Sequence, residues 1–168
     1  MPMMISTMIS LSLILCAAIF GFFYAWVCST MWGLDAADPR IAISAMQAMN
    51  ASVRNAVFAP AFFGTPLVLV ATAALLWARD YKTSAKFFAL SGAVYLCFGL
   101  ILTMAVNVPM NEALARIVVP ENLDAAKTVW QDYSKPWQFW NQSRTVASGL
   151  AFLLAVIGTL KLSARPLL

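Results

Sequence analysis

The sequence predicts an all-α protein, a transmembrane four-helix bundle with short helices in two external loops. Of its 168 residues, 62% are hydrophobic and only 11% are charged, whereas charged residues make up about 25% of a soluble domain. Lys, Arg, Asp and Glu are absent from residues 1–34, 55–78, 87–111 and 145–160. Since about 20 apolar residues cross a hydrocarbon core, we expect one domain with spans at 5–28, 56–78, 84–108 and 140–162.

The distribution of charge predicts the orientation of these spans. The formal net charge of +4 lies entirely on the turn after the second span and on the C-terminal tail, which carry Arg79, Asp80, Lys82, Lys86, Lys161 and Arg165. Both long loops sum to zero, so the positive-inside rule places both termini in the cytoplasm. We expect a multi-pass protein of the bacterial inner (plasma) membrane, with membrane lipids and no nucleic acid as partners. A cleaved signal peptide is the alternative for the first segment, but it lacks a basic start and a small-residue cleavage site.

Small residues repeat along the first and the fourth spans. Ala17, Gly21 and Ala25 recur every four residues in the first span, and the fourth span carries Ala147, Ala151, Ala155 and Thr159. Such stripes let neighbouring helices approach closely, so a homo-oligomer formed through these faces is one option.

Between the first two spans, Asp38-Pro39 predicts an N-cap followed by proline at the first helical position. The amphipathic segment that follows, residues 39–55, would lie over the outer mouth of the bundle.

Proline positions shape the second and third spans. Pro66 lies inside the second span and removes a helical hydrogen bond, which either opens a cavity or leaves a carbonyl for a neighbouring helix to satisfy. In the third span one face becomes more polar toward the outside, through Tyr95, Gly99, Thr103, Asn107 and Asn111. We expect Pro109 to interrupt this helix and a short helix to follow over residues 110–118.

The second external loop carries its own apolar stripe. Residues 121–134 predict a further short helix, and Pro136 predicts the start of the fourth helix ahead of the bilayer. Trp137 and Trp140 would then lie at the membrane interface. Asn141, Arg144 and Ser148 share a face of that helix.

The sequence contains no histidine. This removes the usual haem ligand, the common zinc and non-haem iron sites, and the Ser-His and Cys-His nucleophile pairs. Cys16, Cys28 and Cys97 form no C-x-x-C pair and fit small apolar packing positions. Methionine ligation of copper(I) is a weaker alternative without paired histidine or cysteine. We therefore expect no metal and no cofactor.

Polar and aromatic residues gather at the outer ends of the third and fourth spans. Arg144 precedes a charge-free run too short to cross the membrane alone, so it must extend outward to the headgroups or pair within the bundle. Glu112 is its nearest candidate partner, and Arg54 is another cation at the same level. Asn107 and Asn111 are either plain interhelical hydrogen bonders or parts of a site. Together these residues predict an outward-facing pocket that binds a hydrophobic small molecule.

The motif Asn107-Val-Pro-Met-Asn111, followed by Trp130-x-x-Tyr133, Trp137, Trp140-Asn141 and Arg144-Thr145, resembles the anthrone oxygenase-like family of small four-span membrane proteins. The resemblance implies oxygen-dependent oxidation of a lipophilic, enolisable aromatic, anthrone- or quinol-like. The residues present permit a version of this reaction without a cofactor. In that interpretation Glu112 is the base and Arg144, Asn107 and Asn141 stabilise the resulting oxyanion. The substrate would contact Trp137, Trp140, Asn111, Arg54 and Trp130.

A non-enzymatic function stays open. The chain would then be a lipid- or quinone-binding membrane protein or a subunit of an assembly, and a transporter is a third option. An enzyme predicts an enclosed pocket where Glu112 and Arg144 converge. An assembly factor predicts that both side chains point to headgroups.

Overall fold

The computed structural model describes residues 3–163, which form five helices. These are α1 (Met3–Ala36), α2 (Pro39–Ser52), α3 (Phe58–Ala78), α4 (Lys82–Ala115) and α5 (Leu123–Ser163). All except α2 are long and apolar enough to cross a membrane. The all-α fold with four candidate spans is therefore confirmed, while Arg165 of the tail lies outside the described residues.

The four long helices pack as a ring. Helices α1 and α4 each contact both α3 and α5. Both α1 and α4 contain 34 residues, which at 1.5 Å per residue is about 50 Å, well beyond a hydrocarbon core of about 30 Å. Their C-terminal ends, which we call the outer ends after the predicted orientation, extend past the apolar part of the bundle, and there α2 packs against them and against α5.

Helix α2 has the amphipathic character that the sequence predicts. The Asp38 carboxylate accepts a hydrogen bond from the Arg40 backbone N–H at 2.9 Å, and Pro39 occupies the first turn. Hydrogen bonds from the Arg40 side chain and backbone lower the pKa of Asp38 to about 2. The buried side chains of α2, Ala42, Ile43 and Met46 among them, pack into a cluster at the outer end of the bundle.

Pro66 lies inside α3, and its effect is compensated by α4. The proline has no N–H to offer the Phe62 carbonyl, and the Tyr95 hydroxyl donates to that carbonyl at 3.0 Å instead. The alternative in which a neighbouring helix satisfies the freed carbonyl is therefore correct. Gly99 makes room for Tyr95, because a Cβ atom on this glycine would lie 2.8 Å from the tyrosine ring.

Helix α4 does not break at Pro109, so the separate helix expected over residues 110–118 is wrong. Two π-helical segments, Tyr95–Ile101 and Thr103–Asn107, precede the proline. The Val108 N–H reaches back five residues to the Thr103 carbonyl. The helix has thus already changed to the wider π-helical hydrogen bonding before the proline, and α4 continues to Ala115.

Helix α5 also continues through its proline, so the expected new start at Pro136 and a separate helix over residues 121–134 are wrong. The reason is a continuous buried face on both sides of Pro136, including Trp130, Tyr133 and Trp137. Packing of this face outweighs one missing hydrogen bond.

The two stripes of small residues differ in burial. Further along α5, Ala147, Ala151 and Ala155 are buried inside the bundle, whereas Ala17, Gly21 and Ala25 of α1 are exposed.

Candidate functional site

A cavity of about 580 Å³ lies at the outer end of the bundle, within the size range of small-molecule sites. It is enclosed by the outer parts of α1, α3, α4 and α5 and by the end of α2. Its aromatic lining residues are Phe22, Phe23, Trp26, Phe58, Phe62, Phe63 and Trp137. Its polar and charged lining residues are Asn50, Arg54, Asn55, Thr103, Asn111, Glu112 and Arg144.

Arg144 is buried at this cavity, with 5% of its surface exposed. Its Nε donates to Asn141 Oδ1 at 3.0 Å, and its Nη1 donates to Thr103 Oγ1 at 3.3 Å. Within residues 3–163 no carboxylate lies at ion-pair distance from it. Of the two expectations for this side chain, the one within the bundle applies, but its partners are Asn141 and Thr103 and not Glu112. A buried guanidinium without a counter-ion is costly unless an anion reaches it.

Two aromatic rings hold the guanidinium group of Arg144. Its Cζ lies 4.4 Å from the ring centroid of Phe23 and 5.2 Å from that of Trp137. Both distances fit cation–π contacts. The Nη2 group donates no hydrogen bond to any described residue. The cavity therefore contains a fixed cation with free donors inside an aromatic wall.

A hydrogen-bond network fixes the Trp137 ring in turn. Asn111 Oδ1 accepts from Trp137 Nε1 at 2.9 Å and from the Tyr133 hydroxyl at 2.8 Å. Asn50 Nδ2 donates to the same hydroxyl at 3.2 Å. Sequence reasoning missed Tyr133 and Asn50 as supporting residues. The repeat of Tyr133, Trp137 and Asn141 at four-residue spacing would have indicated Tyr133 on an uninterrupted helix, whereas no signal in the sequence marks Asn50.

Glu112 and Arg54 form an ion pair at the outer rim of the cavity. Arg54 Nη2 lies 3.3 Å from Glu112 Oε1, and the two side chains are 57% and 46% exposed. Both residues line the cavity, and Glu112 is the only carboxylate among its lining residues. The cavity thus carries its acid at the water-facing rim and Arg144 at depth.

Asn107 and Asn141 are buried, and neither lines the cavity. Asn141 holds Arg144 from behind, and its Nδ2 donates to the Phe23 carbonyl at 3.3 Å. Neither amide atom of Asn107 has a hydrogen-bond partner in the described part of the chain. A buried amide of this kind commonly holds an internal water molecule.

Trp130 and Trp140 lie away from the cavity wall. Trp140 is half-buried and packs edge-on against Phe139 at 5.1 Å. Trp130 donates from Nε1 to Asp35 Oδ1 at 2.9 Å, and Ser134 and Gln138 donate to the same carboxylate at 2.7 and 2.8 Å. Asp35, which the sequence interpretation left without a role, therefore joins the outer end of α1 to α5.

The cavity lining offers a single carboxylate, that of Glu112, as a charged metal-binding group. Its lining residues include neither histidine nor cysteine. Across residues 3–163, no cluster of three histidine, cysteine, aspartate or glutamate side chains could hold a metal ion. Chemistry in this cavity would depend on the guanidinium, the carboxylate and the amides.

Comparison with known proteins relates this architecture to one family. The family model described as Anthrone oxygenase matches residues 54–154, well over half of the chain. The match includes α3, α4 and most of α5, and with them Arg54, Glu112 and Arg144. Searches of curated proteins and of solved structures found no match. The chain belongs to the anthrone oxygenase family.

Proposed function

We propose that this protein oxidises a lipophilic, enolisable aromatic of the anthrone class with molecular oxygen in the outer cavity. The observation that carries the proposal is the unpaired guanidinium of Arg144, which faces an aromatic-lined cavity of suitable size. A cation without a protein counter-ion favours a ligand that becomes an anion. An enolate of a flat aromatic ketone meets this requirement and also fits the aromatic walls.

The reaction balances without a cofactor. A base removes a proton from the CH2 group opposite the carbonyl, which leaves an enolate. Oxygen takes the electrons and bonds to this carbon as a peroxide, which is then protonated. Loss of water, with the second hydrogen of the CH2 group, leaves a carbonyl. The CH2 group becomes C=O, and one atom of O2 enters the product while the other leaves as water.

Arg144 would stabilise the enolate oxygen. Its Nη2 donors are free, and Phe23 and Trp137 hold the guanidinium plane in place. Fixed donors in an apolar cavity stabilise developing charge more strongly than water does. Asn141 and Thr103 would act as positioning residues, because they hold Arg144 through its other N–H groups.

Glu112 would be the base. It is the carboxylate of the cavity lining, and its Oε2 is free of the ion pair that Oε1 makes with Arg54. Trp137 and its aromatic neighbours would stack on the substrate. Asn107, Trp130 and Trp140 lie off the cavity wall, so the proposal gives them supporting roles only.

The second candidate function is binding without turnover of a lipid- or quinone-like ligand. The observation in its favour is the Arg54–Glu112 ion pair, which occupies the carboxylate that catalysis would need. In this case the cavity would bind an anionic or polarised carbonyl ligand at Arg144 and release it unchanged.

Oxygen consumption with an anthrone separates the two functions. We expect the double variant Glu112→Gln, Arg144→Ala to lose oxygen uptake above the spontaneous rate. The matched control is Glu121→Gln, Arg116→Ala, which changes the same residue types at exposed positions outside the cavity. Unchanged uptake in the first double variant would refute the catalytic proposal.

We also propose that the cavity end of the protein faces outward from a bacterial inner membrane, with both termini cytoplasmic. The charge asymmetry of the loops supports this orientation. Accessibility of a cysteine introduced at Ser52 to a membrane-impermeant maleimide, in a Cys28→Ala and Cys97→Ala background, would test the orientation.

The exposed stripe of Ala17, Gly21 and Ala25 supports homo-oligomerisation through α1.

A further inference from the structure

Helices α3 and α4 pack together at one end of the bundle and separate at the other. Helix α3 contacts α4 along residues 82–101, whereas no Cα atom of residues 103–115 lies within 8 Å of a Cα atom of α3. In this packed part the Tyr95 hydroxyl of α4 donates a hydrogen bond to the Phe62 carbonyl of α3 at 3.0 Å. A gap therefore opens between the outer parts of these helices.

Two side-chain interactions border the gap, and the gap leads into the cavity. Its outer edge is the Arg54–Glu112 ion pair at 3.3 Å, and its inner edge is the Tyr95–Phe62 hydrogen bond. Phe63 of α3, which directly follows the inner edge, and Met104 of α4, which lies between the two edges, both line the cavity. We call this gap the lateral window.

The lateral window faces the surroundings of the bundle. Phe63 is 48% exposed and Met104 is 46% exposed, although both also line the cavity. Both residues belong to stretches without any charged side chain, residues 55–78 and 87–111. The outward side of such a stretch contacts lipid, so the window opens to the apolar part of the bilayer.

We propose that the cavity takes its ligand from the bilayer through the lateral window, head first. The ligand is an amphiphile with a compact acidic or enolisable head and an apolar remainder. The head reaches the unpaired guanidinium of Arg144, and the remainder extends between Phe63 and Met104 into lipid. The nature of the head rests on the proposed function, whereas the route rests on the geometry of α3 and α4.

This route is physically consistent with both ends of the ligand. An apolar molecule concentrates in the bilayer, because transfer of each CH2 group from water into hydrocarbon is favourable. A ligand that keeps its apolar part in lipid does not need a cavity large enough for the whole molecule. The exposed ion pair of Arg54 and Glu112 stands between the cavity and water at the outer rim.

Photolabelling tests the route directly. The probe is an anthrone with a long alkyl chain that carries a diazirine a few carbons from the ring, bound anaerobically to the protein in phosphatidylcholine nanodiscs. We expect the labelled positions to be Phe63, Met104 and lipid chains. Labelling confined to the linker at residues 53–57 would overturn the proposal, because the chain would then leave through the water-facing rim.

A substitution that blocks the window provides a second measurement. Met104→Trp should weaken binding of the alkyl anthrone at least about tenfold, because the larger side chain fills the gap. The matched control is Leu96→Trp, an exposed position on the same helix that does not line the cavity. Equal affinity of both variants and the unmodified protein would contradict the route.

Oxygen uptake with an unsubstituted anthrone keeps the two proposals separate. Oxygen uptake combined with labelling confined to the linker at residues 53–57 would support the proposed function and refute entry through the lateral window. Window labelling without uptake would support the route and refute turnover.

Discussion

Arg144→Met should abolish most of the activity while leaving the fold almost as stable. Methionine has a similar length and no charge, so the cavity keeps its shape and loses its cation. Removing one donor that stabilises an oxyanion lowers kcat by about 100- to 1000-fold in well-studied enzymes. We expect a loss in that range, measured as oxygen uptake with an anthrone in nanodiscs after subtraction of the spontaneous rate.

The small change in stability follows from opposing effects at the same side chain. Arg144 makes hydrogen bonds to Asn141 and Thr103, and bonds to a charged group contribute about 1.5–3 kcal/mol each. Against this, burial of a guanidinium without a carboxylate carries a desolvation penalty of several kcal/mol. We therefore expect the free energy of unfolding to change by no more than about 2 kcal/mol.

Thermal unfolding and oxygen uptake must be measured on the same preparations. Arg116→Met, at an exposed site outside the cavity, is the control and should change neither quantity. Arg144→Lys should recover only part of the rate, because an ammonium group cannot reproduce the planar donor geometry. If Arg144→Met retained full activity, or lost activity only in proportion to unfolded protein, the catalytic interpretation would be refuted.

Three further predictions concern the frame of the site. Tyr95→Phe leaves the Phe62 carbonyl without a donor and should lower the free energy of unfolding by about 1–3 kcal/mol, measured by denaturant titration. Gly99→Ala places a methyl group 2.8 Å from the Tyr95 ring and should lower the melting temperature. For Asp38→Asn, a comparison of melting temperatures with the unmodified protein should show the stabilising effect of the Asp38 charge at pH 5. This effect should disappear as the pH falls toward 2, because the carboxylate that Arg40 stabilises becomes protonated.

Each of these predictions has a matched control. Tyr24→Phe removes a hydroxyl from an exposed ring and should leave stability unchanged. Gly33→Ala adds a methyl group where no heavy atom lies within 4 Å, and should be tolerated. A loss of stability as large in either control, or a pH-independent difference for Asp38→Asn, would contradict the corresponding argument.

The membrane fold could be predicted from sequence because it depends on local composition. Stretches without charge are long enough to cross a bilayer whatever the detailed packing. The breaks expected at Pro109 and Pro136 were wrong for a physical reason. A proline removes one hydrogen bond, but a widened π segment in α4 and a continuous packed face in α5 compensate for that loss.

The site was only partly predictable because its key contacts join distant helices. The sequence indicated that Arg144 was unusual, but burial between Phe23 of α1 and Thr103 of α4 depends on tertiary packing. In the same way, the sequence indicated that Pro66 would free a carbonyl, but only packing shows that Tyr95 satisfies it. The pairing of Glu112 with Arg54, rather than with Arg144, follows from the position of the linker after α2.

Isotope labelling of the oxygen is the most direct test of the central claim. Purified protein in nanodiscs would receive an anthrone under 18O2, with the product identified by mass spectrometry. We predict an anthraquinone formed faster than in empty nanodiscs, with one labelled oxygen atom per molecule and one O2 consumed. Product formation at the rate of empty nanodiscs, or product oxygen derived from water, would contradict it.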